Sequence, residues 1–310
     1  MHILITGGSG FAGEPLVRYL RDAGHQITLL SRGQHKNAGV DSITYPKDNE
    51  RLQPEKVAEF HAVINLAGAS IASTRWNKNG KKLILDSRIQ VTRLLTESIT
   101  NNQILGLPYP KIFISTSAIG YYGTSDSATF DETSPNGSGF LSEVALQWEK
   151  QASQIEALGI RLIILRFAIV LGKGGILEQL RKPFDYRMGG FVGTGKQWIS
   201  WIHLRDLIHV IDWALQTEKA SGIYNACAPN PSSMKELTSA LANTIHHKSW
   251  TRLPEFLARM IFGEMADELI LHGQRAFPKR LQEEGFHWKY CNISEALENI
   301  FEKDKSKISL

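Results

Sequence analysis

Residues able to do chemistry fall at three places along this 310-residue chain. Gly7, Gly8, Gly10 and Gly13 crowd the stretch Thr6-Gly7-Gly8-Ser9-Gly10-Phe11-Ala12-Gly13. Ser115, Thr116 and Ser117 end an apolar run, with Tyr121 and Tyr122 just beyond. His203 and Asp206 stand within Trp201-Ile202-His203-Leu204-Arg205-Asp206-Leu207. Closely spaced glycines let the backbone turn tightly and bring its N–H groups up to an anion. Hydroxyls and phenols pass protons, and an imidazole titrates near neutral pH.

The elements that position the glycines can be read around them. His2-Ile3-Leu4-Ile5-Thr6 is a short apolar run of the kind a buried parallel strand shows, and Leu16, Val17 and Leu20 have helical spacing that stops at Gly24. Gln26-Ile27-Thr28-Leu29-Leu30 is a second strand. Strand, glycine turn, helix and strand make half of a dinucleotide site. One glycine turns tightly, one admits a pyrophosphate and one lets helix pack on strand, which gives Gly7, Ser9, Gly10, Phe11, Ala12 and Gly13 to the phosphates. Pro15 falls in the first helical turn, where its missing N–H is not needed. The second strand ends at Ser31-Arg32 with no carboxylate. A carboxylate there serves the ribose of NAD, whereas an arginine accommodates a 2′-phosphate, so NADP(H) is expected over NAD(H). The competing reading of Arg32 is a solvated loop residue.

Further along, strands are expected at Ser42–Tyr45, His61–Gly68, Lys111–Ser117 and Ile160–Arg166, with helices near Leu52–Phe60, Asn79–Asn101 and Leu141–Leu158. Six strands alternating with helices imply an α/β fold, a Rossmann-type doubly wound parallel sheet. Residues 1–167 form the expected dinucleotide-binding domain, with returning segments from about 198–226. Residues 168–310 form a smaller, mainly helical substrate or cap region that includes a C-terminal domain over 250–297 and closes in the charged run Glu302–Lys307. A strand Ile223–Ala226 and a helix Ser233–Ile245 fall between.

The formal net charge is +4 and the basic residues are scattered, so no nucleic-acid footprint is visible. Cys227 and Cys291 lie far apart without metal-ligand spacing, which implies free thiols, a reducing compartment and no metal. No signal peptide or membrane span is read, so a cytoplasmic protein is expected.

The chain resembles the short-chain dehydrogenase/reductase superfamily in its extended, sugar-epimerase-like branch. The resemblance is carried by the glycine motif, Asn65-Leu66-Ala67-Gly68, Ser115-Thr116-Ser117-Ala118 and Trp201–Leu207. Gly263-Glu264-Met265, Gly273-Gln274-Arg275, Pro278-Lys279-Arg280-Leu281 and Gly285-Phe286 narrow it to the "epimerase family protein" group, which carries its own small C-terminal domain. By this resemblance the cofactor lies across Leu66, Ala67, Gly68 and Ser115, with Arg166 and Phe167 walling the nicotinamide pocket. Arg88 either faces the cofactor phosphates or is a surface arginine. The superfamily's chemistry also needs a Tyr with Lys four residues on, the Lys lowering the phenol pKa and binding the ribose. That pair would fall at Phe140/Val144 or Leu141/Ala145. Neither register supplies it, and none of Tyr19, Tyr45, Tyr109, Tyr121, Tyr122, Tyr186, Tyr224 and Tyr290 is followed by Lys at the fourth position.

Replacement groups are sought at the end of the fifth strand, where Ser117, Tyr121 and Tyr122 are the catalytic candidates; the bland alternative is a strand end and loop packing. His203 reads first as a hydrogen-bonded structural residue and Asp206 as a helix cap. Trp76, Trp198 and Trp201 either line a cleft or pack the core. Two functions follow. One is an NADP(H)-dependent oxidoreductase or nucleotide-sugar epimerase-like enzyme acting on a small molecule, a carbonyl compound or nucleotide sugar. The other is a non-catalytic NADP(H)-binding sensor or interaction protein, with a possible link to cell division.

Overall fold

The computed structural model describes residues 1–33, 40–46, 50–186, 188–248 and 251–305, with side chains through Glu302. Apolar runs long enough for one strand, each followed by a polar or glycine break, build a seven-stranded sheet. Its strands are β1 (His2–Thr6), β2 (Gln26–Ser31), β3 (Asp41–Thr44), β4 (Ala62–Asn65), β5 (Ile112–Ala118), β6 (Arg161–Phe167) and β7 (Gly222–Ala226). The order is β7-β6-β5-β4-β1-β2-β3. The parallel register aligns Ile5 with Leu29 on one side and with Ile64 on the other, and Ile64 with Ile114. Chain order thus reverses at β1, the switch point at which doubly wound sheets bind ligands. Burial of every β1 residue from Ile3 to Thr6 explains its unbroken apolar pattern. The seventh strand is the short apolar segment expected at Ile223–Ala226.

Helix α1 (Gly13–Asp22) buries Leu16, Val17 and Leu20, the face its spacing predicts. After α2 (Pro54–Ala58), the long α3 (Lys78–Ile104) starts where the Asn77 side chain accepts the Gly80 N–H at 2.8 Å. Its buried stripe runs through Ile84, Arg88, Thr92, Leu95 and Ile99, whereas Leu83 is 52% exposed. The apolar residues of α3 therefore mark its buried face poorly, because polar residues occupy part of it. Helix α4 (Phe140–Ser153) continues as a 3-10 turn to Leu158.

The chain divides into two compact units: residues 1–117, 144–165 and 208–223, and residues 118–143, 166–207 and 224–310. In the first, Leu4, Leu30, Val63, Phe113 and Ile164 pack with Leu95 and Ile99 of α3. In the second, Trp201, Phe184, Leu241, Tyr290, Leu297 and Ile300 share a core. Its helix Met234–Thr244 opens with a full capping box between Ser233 and Glu236. Its last helix, Ile293–Lys305, takes in the start of the charged end; residues 306 and 307 lie outside the described residues. Asp206 is the third residue of the helix beginning at Leu204. It sits fully buried in the first turn and accepts the backbone N–H groups of Lys289 and Tyr290, both at 2.9 Å.

Candidate functional site

In the first unit the glycine turn joins β1 to α1, and its geometry requires glycine at two positions. Gly7 has φ +68°, and a Cβ there would stand 2.7 Å from the Leu66 carbonyl oxygen. At Gly13 a Cβ would come within 2.1 Å of the Gly7 oxygen and 2.7 Å of the Gly8 Cα, so helix and turn touch backbone to backbone. Gly10 differs. Its Cβ direction meets only the Gly7 oxygen, at 3.2 Å, and otherwise opens into space. The Gly10 N–H closes the turn on the Gly7 carbonyl at 3.0 Å, and the α1 N-cap, Ala12, brings no side-chain acceptor to the helix start. A narrow turn, an uncapped helix N-terminus and a side-chain-free approach fit a pyrophosphate.

This turn forms one wall of a cleft of about 1310 Å³ lined entirely by residues of the first unit. Of the residues expected at a cofactor, Gly7, Ser9, Gly10, Ser31, Arg32, Leu66, Ala67 and Gly68 line it. Phe11, Ala12, Gly13, Arg88 and Ser115 do not, while Arg166 and Phe167 belong to the second unit. Arg32 is exposed at the end of β2, and Ser31 donates to the Gly33 carbonyl at 2.5 Å. Tyr45, after β3, also lines the cleft. Burial pushes its phenol up to about 12, opposed by the nearby Arg32 charge. Sequence motifs do not single out Tyr45 or Ser70, which lie outside the motifs, or Gln90 and Arg93, since a cleft wall on α3 needs only the right face.

The end of β4 is fixed from behind. Thr6 donates to the Asn65 side-chain oxygen at 2.7 Å, Asn65 donates to Thr92 at 2.8 Å, and the Trp148 indole donates to the same hydroxyl at 3.0 Å. Thr116 donates to the Asn65 carbonyl at 2.9 Å. Each member of this buried network has a partner, which makes it a rigid support. Arg88 lies alongside it and is only 8% exposed. Its guanidinium donates to the carbonyls of Ile84, at 2.8 Å, and Ala69, at 3.2 Å, and stacks 5.2 Å from the Trp148 ring. Burial alone lowers its pKa to about 10. Arg88 is thus neither a surface residue nor part of the cleft lining.

Ser117 is 3% exposed and donates at 2.6 Å to Glu149, a buried carboxylate on α4 that no motif marks. Ser115 is buried as well.

In the second unit Tyr121 and Tyr122 end the turn Ile119–Tyr122. The Tyr122 hydroxyl donates to the Asn225 side-chain oxygen at 2.7 Å and accepts from the Arg166 guanidinium at 2.9 Å; burial pushes its pKa up to about 12. Tyr121 is half-buried, its ring under the same guanidinium at 3.5 Å. Glu132 accepts the Asn225 N–H at 3.0 Å, and burial raises its carboxyl above the usual range. His203 is 3% exposed and accepts the Arg205 N–H on Nδ1 at 3.0 Å; burial, helped by Arg205 and Lys289, drives it down to about 4. It is therefore uncharged at neutral pH. Trp76 and Trp198 are half-buried, while Trp201 is fully buried and donates to the Asn230 carbonyl. Among the described residues, no cluster of His, Cys, Asp and Glu could hold a metal ion.

The profile of the NAD dependent epimerase/dehydratase family matches residues 3–227, and that of a domain of unknown function, DUF1731, matches residues 253–300. The epimerase family protein YfhF of Bacillus subtilis is 38% identical over 308 residues, covering 99% of this chain and 100% of YfhF. The chloroplastic SDR39U1 homolog of Arabidopsis thaliana is 37% identical, over 97% of this chain and 87% of its own length. Among solved structures, the human epimerase family protein SDR39U1 with NADPH superimposes with a TM-score of 0.86 at 30% identity, covering 97% of this chain and 99% of that one. A Bacillus cereus UDP-glucuronic acid 4-epimerase, at 20% identity and a TM-score of 0.78, shares the fold. The sheet, the glycine turn and these matches together place the chain in the NAD dependent epimerase/dehydratase family, in the epimerase family protein group with a DUF1731 domain at its C-terminal end.

Proposed function

We propose that this chain binds NADP(H) in the cleft at the end of β1 and acts as an epimerase-like oxidoreductase on a small carbonyl compound or nucleotide sugar. The carrying observation is the glycine cradle followed, at the end of β2, by an exposed Arg32 lining the same cleft. The NADPH in the human relative's structure supports the same cofactor. Bound there, the cofactor would supply or accept hydride. Gly7, Ser9 and Gly10, with the α1 N-terminus behind Phe11, Ala12 and Gly13, take the pyrophosphate; Ser31 and Arg32 take the 2′-phosphate. Leu66, Ala67 and Gly68, backed by Ser115, support the nicotinamide half.

The hydroxyl-bearing candidates for the proton are Ser117, Tyr121 and Tyr122. Tyr121 is the one whose phenol keeps capacity, because Tyr122 is committed to Asn225 and Arg166 and Ser117 to Glu149. In this proposal residues 1–167, with the returning segments, hold the cofactor, and 168–310 meet the substrate. Among the described residues no helix is long and apolar enough to cross a membrane, and Cys227 and Cys291 are unpaired, which supports a cytoplasmic setting.

Calorimetric titration tests the cofactor assignment: NADPH binds at least tenfold more tightly than NADH. Equal affinities defeat it. A second reading, a non-catalytic sensor of NADP(H), is favoured by the bound state of Ser117 and Tyr122 and by the missing Tyr/Lys pair. Loss of NADPH absorbance with a panel of carbonyl compounds and nucleotide sugars separates the two, since a sensor binds without turnover.

A further inference from the structure

Arg88 is a cation buried without an anion. Its guanidinium meets two backbone carbonyls and the Trp148 ring, burial alone lowers its pKa, and among the described residues no carboxylate offsets its charge. A buried charge normally has a counter-charge, because desolvating it alone is costly. Gly68 marks the direction in which this charge is felt. A Cβ on Gly68 would stand 2.9 Å from the guanidinium carbon, so the missing side chain leaves only one backbone thickness between Arg88 and the cleft that Gly68 lines.

Two placements say which part of a dinucleotide would feel it. Gly68 follows β4, and β4 and β5 lie on the opposite side of β1 from β2 and Arg32. With pyrophosphate at the β1 turn and the adenosine 2′-phosphate at Arg32, the β4 side receives the nicotinamide half. The guanidinium also stacks on Trp148, which shares a face of α4 with Val144 and Ala145, one turn away. Those are the positions where the superfamily's lysine is expected and absent.

We propose that Arg88, projecting from α3, supplies the positive charge that the missing lysine would have carried and makes the site prefer reduced cofactor, NADPH, over NADP⁺. The inference rests on the NADP(H) reading of the cleft. The two forms differ by one positive charge on the nicotinamide ring. A fixed cation behind the Gly68 backbone, in partly buried surroundings, disfavours the charged ring by on the order of tenfold. Arg88 is a specificity residue here and takes no part in proton transfer.

The test is calorimetric titration of the intact protein, Arg88→Lys and Arg88→Gln with three probes: NADPH, NADP⁺ and adenosine 2′,5′-bisphosphate, which lacks the nicotinamide half. Circular dichroism melts check that each variant folds. The expected result is an NADPH preference near tenfold in the unmodified protein and in Arg88→Lys. In Arg88→Gln it falls to within about twofold, while adenosine 2′,5′-bisphosphate binds all three alike. An unchanged preference in Arg88→Gln overturns the proposal, as does equal weakening of the bisphosphate. If Arg88→Gln does not fold, the unmodified protein still decides: NADP⁺ binding as tightly as NADPH refutes it. If the unmodified protein binds neither NADPH nor the bisphosphate, the cofactor reading itself has failed.

Discussion

Two glycines of the same turn should fail in opposite ways. At Gly13 an added methyl meets backbone 2.1 and 2.7 Å away, so the turn must open by more than 1 Å to restore ordinary contact. Overpacking costs about 1 to 3 kcal/mol, and with backbone as the obstacle the upper figure applies. In a protein of this size about 3 kcal/mol lowers the melting temperature by about 6 to 12 °C. At Gly10 a methyl has one contact, at 3.2 Å, and φ there is not positive, so Gly10→Ala should melt within about 3 °C of the unmodified protein. The branched side chain of Gly10→Val enters the cleft that Gly10 lines and displaces the pyrophosphate. NADPH affinity should then drop at least 100-fold, about 2.7 kcal/mol. Thermal melts by circular dichroism and calorimetric NADPH titration of Gly10→Ala, Gly10→Val and Gly13→Ala give both quantities. Gly10→Val binding NADPH within threefold of the unmodified protein, or melting as low as Gly13→Ala, would refute the division of labour between them.

Arg32→Ala should weaken NADPH by about 10- to 100-fold, the worth of a charge-assisted contact to phosphate, and leave NADH unchanged in the same titration. Tyr122→Phe strands the Asn225 oxygen and a guanidinium N–H of Arg166, so it should lower stability by about 1 to 3 kcal/mol in urea melts, whereas Tyr121→Phe should not. With a reactive panel compound, removing both phenols should slow NADPH oxidation by about 10² to 10⁴-fold. His203 is held uncharged, its pKa lowered from 6.5 to about 4. The folded state therefore binds fewer protons than the unfolded chain between those values, and on the order of 3 kcal/mol of stability should be lost as pH falls from about 6.5 to about 4. Melts of His203→Asn over that range should show a shallower decline.

The strand, glycine turn and helix at the start of the chain could be read directly because each depends on local pattern: apolar run, glycine spacing, helical period. That Arg32 stands at the cleft could be read because it follows a strand whose place in the sheet is set by the local pattern. The partners could not. Ser117 meets Glu149 thirty-two residues on, and Tyr122 meets Asn225 more than a hundred residues on; both pairs exist only through packing. Arg88 reads from the sequence as facing the cofactor phosphates or as a surface arginine, and its burial is hidden there because nothing in α3's own sequence says that its polar residues face inward. Asp206 has a cap's residue type, but it lies inside the first helical turn and its oxygens accept from Lys289 and Tyr290, which only the fold brings near.

A crystal structure of the protein grown with NADPH tests the central claim most directly. The account predicts the pyrophosphate over the turn from Gly7 to Gly13, the 2′-phosphate within hydrogen-bond reach of Arg32, and the nicotinamide half on the β4 side, beside Gly68. A dinucleotide lying outside this cleft, or bound in it with its 2′-phosphate turned away from Arg32, would contradict it.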